Sequence, residues 1–157
     1  MPKASVENTF RKSRVRSPRL KSILALCLEA TDHSNHTVHL SIVSDQEIRE
    51  LNQQWRKKDK PTDVLSFSQL ETAADALPFL DVFPGPKPLG DIVISFETAE
   101  AQAESIGHSL DDEYQRLIVH GFLHLLGHDH VRGGRQAAKM KREERRLLSY
   151  IQTHLGA

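Results

Sequence analysis

Between Thr37 and Val43 apolar and polar side chains alternate, with Val38, Leu40 and Ile42 on one side. A period of two is that of a half-buried strand. The period then lengthens. Ser44 is a good N-cap with Glu47 three residues on, a capping box, and Ile48, Leu51 and Trp55 share one face of a helix over 45–55. Upstream, Pro18 suits a first helical turn, and Leu20, Ile23, Leu24, Leu26, Cys27 and Leu28 carry that helix to about Ala30. Two more strands follow, Thr62 to Ser68 and Leu89 to Ser95, the second with Ile92, Val93 and Ile94 as core. Between them, 69–88 holds Pro78, Pro84, Gly85, Pro86 and Pro88 and reads as a long loop. A helix over 96–106 ends at Gly107. Another starts at Ser109 with Asp112 and runs to about Leu126, where Gly127 stops it. A last helix runs from about Gly134 to Thr153. Val6 to Arg16 reads as an edge strand or an arm. The alternation of strands and helices indicates an α/β chain with no evident linker.

Length and composition narrow the class. The chain has 157 residues, 38% hydrophobic and 27% charged, which suits one globular domain over 1–157. No apolar run is long enough to span a bilayer. The lone Cys27 cannot form an internal disulfide, so nothing calls for an oxidising compartment. The expected location is cytoplasmic. Charge is balanced, 21 basic against 21 acidic residues, but unevenly placed. Basic side chains gather in 1–21, in Arg56-Lys57-Lys58-Asp59-Lys60 and in 132–146, while acids dominate 69–113. Local basic clusters can hold polyanions, although a neutral total argues against strong non-specific coating of DNA.

Candidate chemistry lies between 120 and 130. The segment reads His120-Gly121-Phe122-Leu123-His124-Leu125-Leu126-Gly127-His128-Asp129-His130. Residues four apart share a helical face, so His120 and His124 project together. A helix broken at Gly127 lets the chain turn and bring His130 to the pair. Three imidazoles can hold zinc and leave a fourth position open. The spacing H-x-x-x-H-x-x-G-x-x-H is that of the metzincin site, but the residue after the first histidine is Gly121, where a peptidase of that class carries its glutamate base. Asp129 can orient a ligand histidine or cap the turn, and His128 can simply face solvent. His33, His36, His39, His108 and His154 have no ligand spacing.

The same segment resembles the signature of the YbeY family of bacterial endoribonucleases, close to H-G-x-L-H-L-x-G-[YH]-D-H. Three further blocks resemble that family in the same order: Leu51-Asn52-Gln53-Gln54-Trp55-Arg56 with Pro61-Thr62-Asp63-Val64-Leu65-Ser66-Phe67; Leu89-Gly90-Asp91-Ile92-Val93-Ile94-Ser95; and Met140 with Glu143 or Glu144. The resemblance covers roughly 38–148 and is weakest in the N-terminal arm, 1–17.

The resemblance implies a mixed α/β (α+β) fold, one four-stranded mixed sheet packed with about five to six helices, with the metal site at the end of a central helix. It implies one Zn2+ per chain on His120, His124 and His130, with Ni2+ as a possible substitute on an all-imidazole site. It further implies a single-strand-specific endoribonuclease acting in maturation of the 3′ end of 16S ribosomal RNA and in ribosome quality control. Small-subunit ribosomal proteins are expected partners and a membrane is not. Arg56 and His120 are the expected catalytic residues, with Arg56, Lys57 and Lys58 on the RNA. Arg56 is expected to project from a helix end into solvent and to share a cleft with the histidines. Two alternatives stand beside this reading: a peptidase-like metallohydrolase, and a non-catalytic ribosome-assembly factor whose metal is structural.

Overall fold

The computed structural model describes residues 4–8, 17–69, 87–127 and 134–155. Its strands are β1 (Ala4–Asn8), β2 (His36–Val43), β3 (Val64–Ser68) and β4 (Lys87–Ser95). Its helices are α1 (Ser17–Ala30), α2 (Asp45–Arg56), α3 (Phe96–Ile106), α4 (Leu110–Leu125) and α5 (Gly134–Leu155). The strands form one sheet in the order β1-β2-β4-β3. β1 and β4 run parallel to β2, and β3 runs antiparallel to β4. The sheet is therefore mixed, with β1 and β3 at its edges. Residues 4–8 of the N-terminal arm form the edge strand β1; residues 1–3 and 9–16, and 70–86 of the Pro-rich loop, lie outside the described residues.

The sheet's two faces are unequal. One carries the main core, where Leu40, Ile92 and Ile94 meet Leu24 of α1, Phe122 of α4 and Leu147 of α5. On the other, Ile48 and Leu51 of α2 pack with Val43, Leu65, Val93 and Phe67. Alternation along β3 explains the split. Val64 joins the main core, while Leu65 and Phe67 join the smaller cluster. The expected caps Ser44 and Ser109 each accept from a backbone N–H three residues on, and Ser95, the last residue of β4, does the same for α3.

Helix α4 lies unusually close to the sheet, and Gly121 is the reason. A Cβ there would come within 3.0 Å of Ile92 Cγ2 and 3.1 Å of both Ser66 Oγ and Val64 Cγ2. Two hydroxyls fasten the helix to the edge strand: Ser66 Oγ donates to the Gly121 carbonyl at 2.8 Å, and Ser68 Oγ to the Leu125 carbonyl at 3.1 Å. Position 121 thus faces the sheet. A side chain there would need Ile92, Ser66 or Val64 to give way by a few tenths of an ångström, and the glycine itself supplies no base.

Candidate active site

His120 and His124 stand one helical turn apart on α4, as their spacing predicts. Their Nε2 atoms approach to 3.2 Å, with ring centroids 4.7 Å apart and planes at 71°. The Nδ1 of His120 faces Glu144 Oε1 of α5 at 3.3 Å. A carboxylate only accepts, so this contact places the His120 proton on Nδ1 and leaves Nε2 with its lone pair. That lone pair points toward the second Nε2.

The donor set fits a divalent metal. Two nitrogens bonded at 2.0–2.1 Å to a tetrahedral ion are separated by roughly 3.3 Å, close to the observed spacing. A carboxylate behind the ligand imidazole is the usual means of fixing its tautomer and ring plane. Among the described residues no group of three His, Cys, Asp or Glu side chains gathers as a full metal site. His130, the third expected ligand, and the neighbouring His128 and Asp129 lie outside the described residues. The turn that leads to them is described: Gly127 has φ +93°, the left-handed conformation that ends a helix and that a side chain disfavours.

Arg56 is the last residue of α2 and is exposed, as expected. Lys57 closes the helix at φ 59°, with its N–H on the Asn52 and Gln53 carbonyls. Lys58 is exposed on the segment that follows. α2 and α4 pack on opposite faces of the sheet, but their C-terminal ends meet the same end of β3. Phe67 touches Trp55, the neighbour of Arg56. Ser68 is bonded to Leu125, the neighbour of His124. Adjacent residues of one strand thus hold the ends that carry Arg56 and His124.

Two acidic residues carry roles that periodicity left unassigned. Glu144 faces His120, whereas its neighbour Glu143 is turned to Arg146 at 2.8 Å. The buried stripe of α5 runs through Met140, Leu147 and Ile151. Position 144 falls on that stripe, and an acid within an apolar stripe is the signal that singles it out. Glu113 is fully buried at the start of α4, where it accepts from His108 Nε2 at 2.7 Å and from Arg116 Nε at 2.9 Å. Burial alone would raise its carboxyl pKa. The hydrogen bonds and charges of Arg116 and His108 outweigh burial and hold it below the usual range. Burial pushes the Cys27 thiol up to about 12, so it is unreactive and belongs to the core.

The sequence profile of the family described as Endoribonuclease YbeY matches residues 5–152. The protein of that name from Aquifex aeolicus is 46% identical over 142 residues, 90% of this chain and 88% of the relative. The one from Halalkalibacterium halodurans is 43% identical over 122 residues, 78% and 77% of the two chains. The solution structure of a Thermotoga maritima protein superposes with a TM-score of 0.61, covering 97% of this chain and 91% of the other at 24% identity. That likeness concerns the fold alone. With its sheet, its paired histidines and a match along nearly its whole length, this chain belongs to the YbeY endoribonuclease family.

Proposed function

We propose that this protein is a zinc-dependent endoribonuclease that cuts single-stranded RNA, with ribosomal RNA as its substrate during maturation, including the 3′ end of 16S ribosomal RNA, and during ribosome quality control. The observation that carries the reading is the pair of Nε2 atoms 3.2 Å apart with Glu144 behind one of them. His120, His124 and His130 would hold the ion, with nickel as an alternative occupant. When bound, it supplies Lewis-acid chemistry, acidifying a water and drawing charge from a phosphoryl oxygen.

The chain's own residues do the rest. Glu144 keeps the His120 proton on Nδ1 and the ring in one orientation. Arg56 offers a planar fork of N–H donors to the phosphate to be cut, and its charge persists at any relevant pH. It meets the negative charge that builds on the phosphate during cleavage. Lys57 and Lys58 hold the neighbouring backbone. The setting is the cytoplasm, beside proteins of the small ribosomal subunit.

A peptidase reading lacks its base, because position 121, where that class carries its glutamate, is a glycine. The non-catalytic reading is separated by experiment. Metal-loaded protein is incubated with single-stranded RNA and with casein; RNA is cut and casein is not. Arg56→Lys then lowers single-turnover cleavage by about 10²–10³, with circular dichroism and metal content unchanged. Full cleavage by a folded, metal-loaded Arg56→Lys protein removes Arg56 from the mechanism. No cleavage by the parent protein removes the enzymatic reading.

A further inference from the structure

Among the described residues two large apolar side chains stand open to solvent, Ile106 and Trp55, the latter 63% exposed. Trp55 is not a loose surface residue. Its indole meets Phe67 edge to face, with centroids 6.2 Å apart and planes at 67°. Phe67 is itself packed on the small core under α2. The ring is therefore steadied on one side and open on the other.

The surroundings of that open ring are cationic. Arg56, Lys57, Lys58 and Lys60 follow it directly, and all are exposed. The one acid among them, Asp59, is occupied by Arg49, whose Nε lies 2.7 Å from Oδ1. The segment is also folded back: Lys58 N donates to the Asn52 carbonyl at 3.3 Å, and Asn52 Nδ2 to the Lys60 carbonyl at 2.9 Å. The cations are thereby held at the end of α2, on the turn where Trp55 stands.

An aromatic face ringed by cations matches unpaired nucleic acid. Every base has a π-face that stacks on an indole, and each flanking phosphate takes a cation. In a duplex both faces of a base are already covered, so an open ring of this kind selects single strands. We propose that Trp55 is a stacking platform for one unpaired base of the RNA, with Arg56, Lys57 and Lys58 on the adjoining phosphates. The inference rests on the endoribonuclease reading and adds a base-binding position on the α2 face of β3. The bond to be cut lies toward the histidines on the other face, so the RNA strand passes the end of the edge strand between them.

The chain contains a single tryptophan, so its intrinsic fluorescence reports this ring alone. The full metal-loaded protein is titrated with a short single-stranded RNA and with an abasic oligomer of the same length and charge, over a time in which gel electrophoresis shows both intact. The expected result is saturable quenching by the first and little by the second. In parallel, anisotropy of the labelled oligonucleotide gives affinities for variants. Trp55→Ala binds roughly 5- to 150-fold more weakly, the span of one base–aromatic stack, and Trp55→Phe keeps most of the affinity. Equal quenching by the abasic oligomer, or unchanged affinity in a folded Trp55→Ala protein, overturns the proposal and leaves the ring to another kind of partner, such as a protein. Failure of the wider reading looks different: RNA binds and quenches normally, but no phosphodiester is ever cut.

Discussion

Helix α4 has a histidine–carboxylate pair at each end, and the two differ in burial and in what stands beside the histidine. At its start, His108 and Arg116 converge on Glu113, whose side chain is wholly buried. Both carboxylate oxygens have partners, and nothing there is offered to a ligand. At its end, Glu144 and His120 are partly open, with 30% and 26% of their side chains exposed. There the carboxylate fixes one nitrogen, and the other nitrogen points its lone pair at a second imidazole. The first pair closes on itself and serves the fold. The second brings two imidazole nitrogens to 3.2 Å with a carboxylate behind one of them, an arrangement that suits a metal site. Residue types alone do not separate the two; the placement of a second imidazole beside His120 does.

The largest expected effect breaks the second pair. His124→Ala removes a ligand and should abolish tight binding of zinc, read by competition with a chromogenic chelator, while the thermal midpoint of the metal-free protein stays near that of the parent. Retained zinc affinity would mean that the paired imidazoles are not the site.

Breaking the first pair should do the reverse. Glu113→Ala leaves Arg116 and His108, both partly exposed, without their shared acceptor and should cost about 1–3 kcal/mol of folding stability, measured by urea denaturation. It should also change the pH dependence. The Glu113 carboxyl titrates lower in the folded protein than in the unfolded chain. Its contribution is therefore complete above the ordinary carboxylate range, and it is lost as pH falls through the folded value. In the variant that part of the acid destabilisation should be missing. An unchanged urea midpoint and acid profile would show that the buried cluster is not structural.

The smallest effect sharpens the contrast. Glu144→Gln keeps shape and hydrogen bonding but loses charge, so zinc affinity should fall about 10- to 100-fold with little change in stability. A loss of stability without a loss of zinc affinity would make Glu144 a second Glu113.

Much of this molecule is legible along the chain. Strand and helix periods place β2, α2, α3 and α4 to within a residue or two, because each buries one face and the period of its apolar residues records that face. The 120–124 spacing and the turn glycine at 127 are legible for the same local reason: a helical turn sets one, and a left-handed φ the other. The glycine at 121 is visible as the absence of a base, yet its cause is not. Only the approach of Ile92, Ser66 and Val64 to within 3.0–3.1 Å of its missing Cβ explains it. Choosing Glu144 over Glu143, closing Glu113 on Arg116 and His108, and setting Trp55 against Phe67 were likewise decided by packing. Those contacts join residues far apart in the chain or pick one of two neighbours by helix rotation, and no local period encodes which distant side chain will arrive. The sequence by itself determined the elements, the family signature and the shared face of two histidines. Tertiary structure decided which polar groups meet which partners, because those partners come within hydrogen-bond reach only on folding.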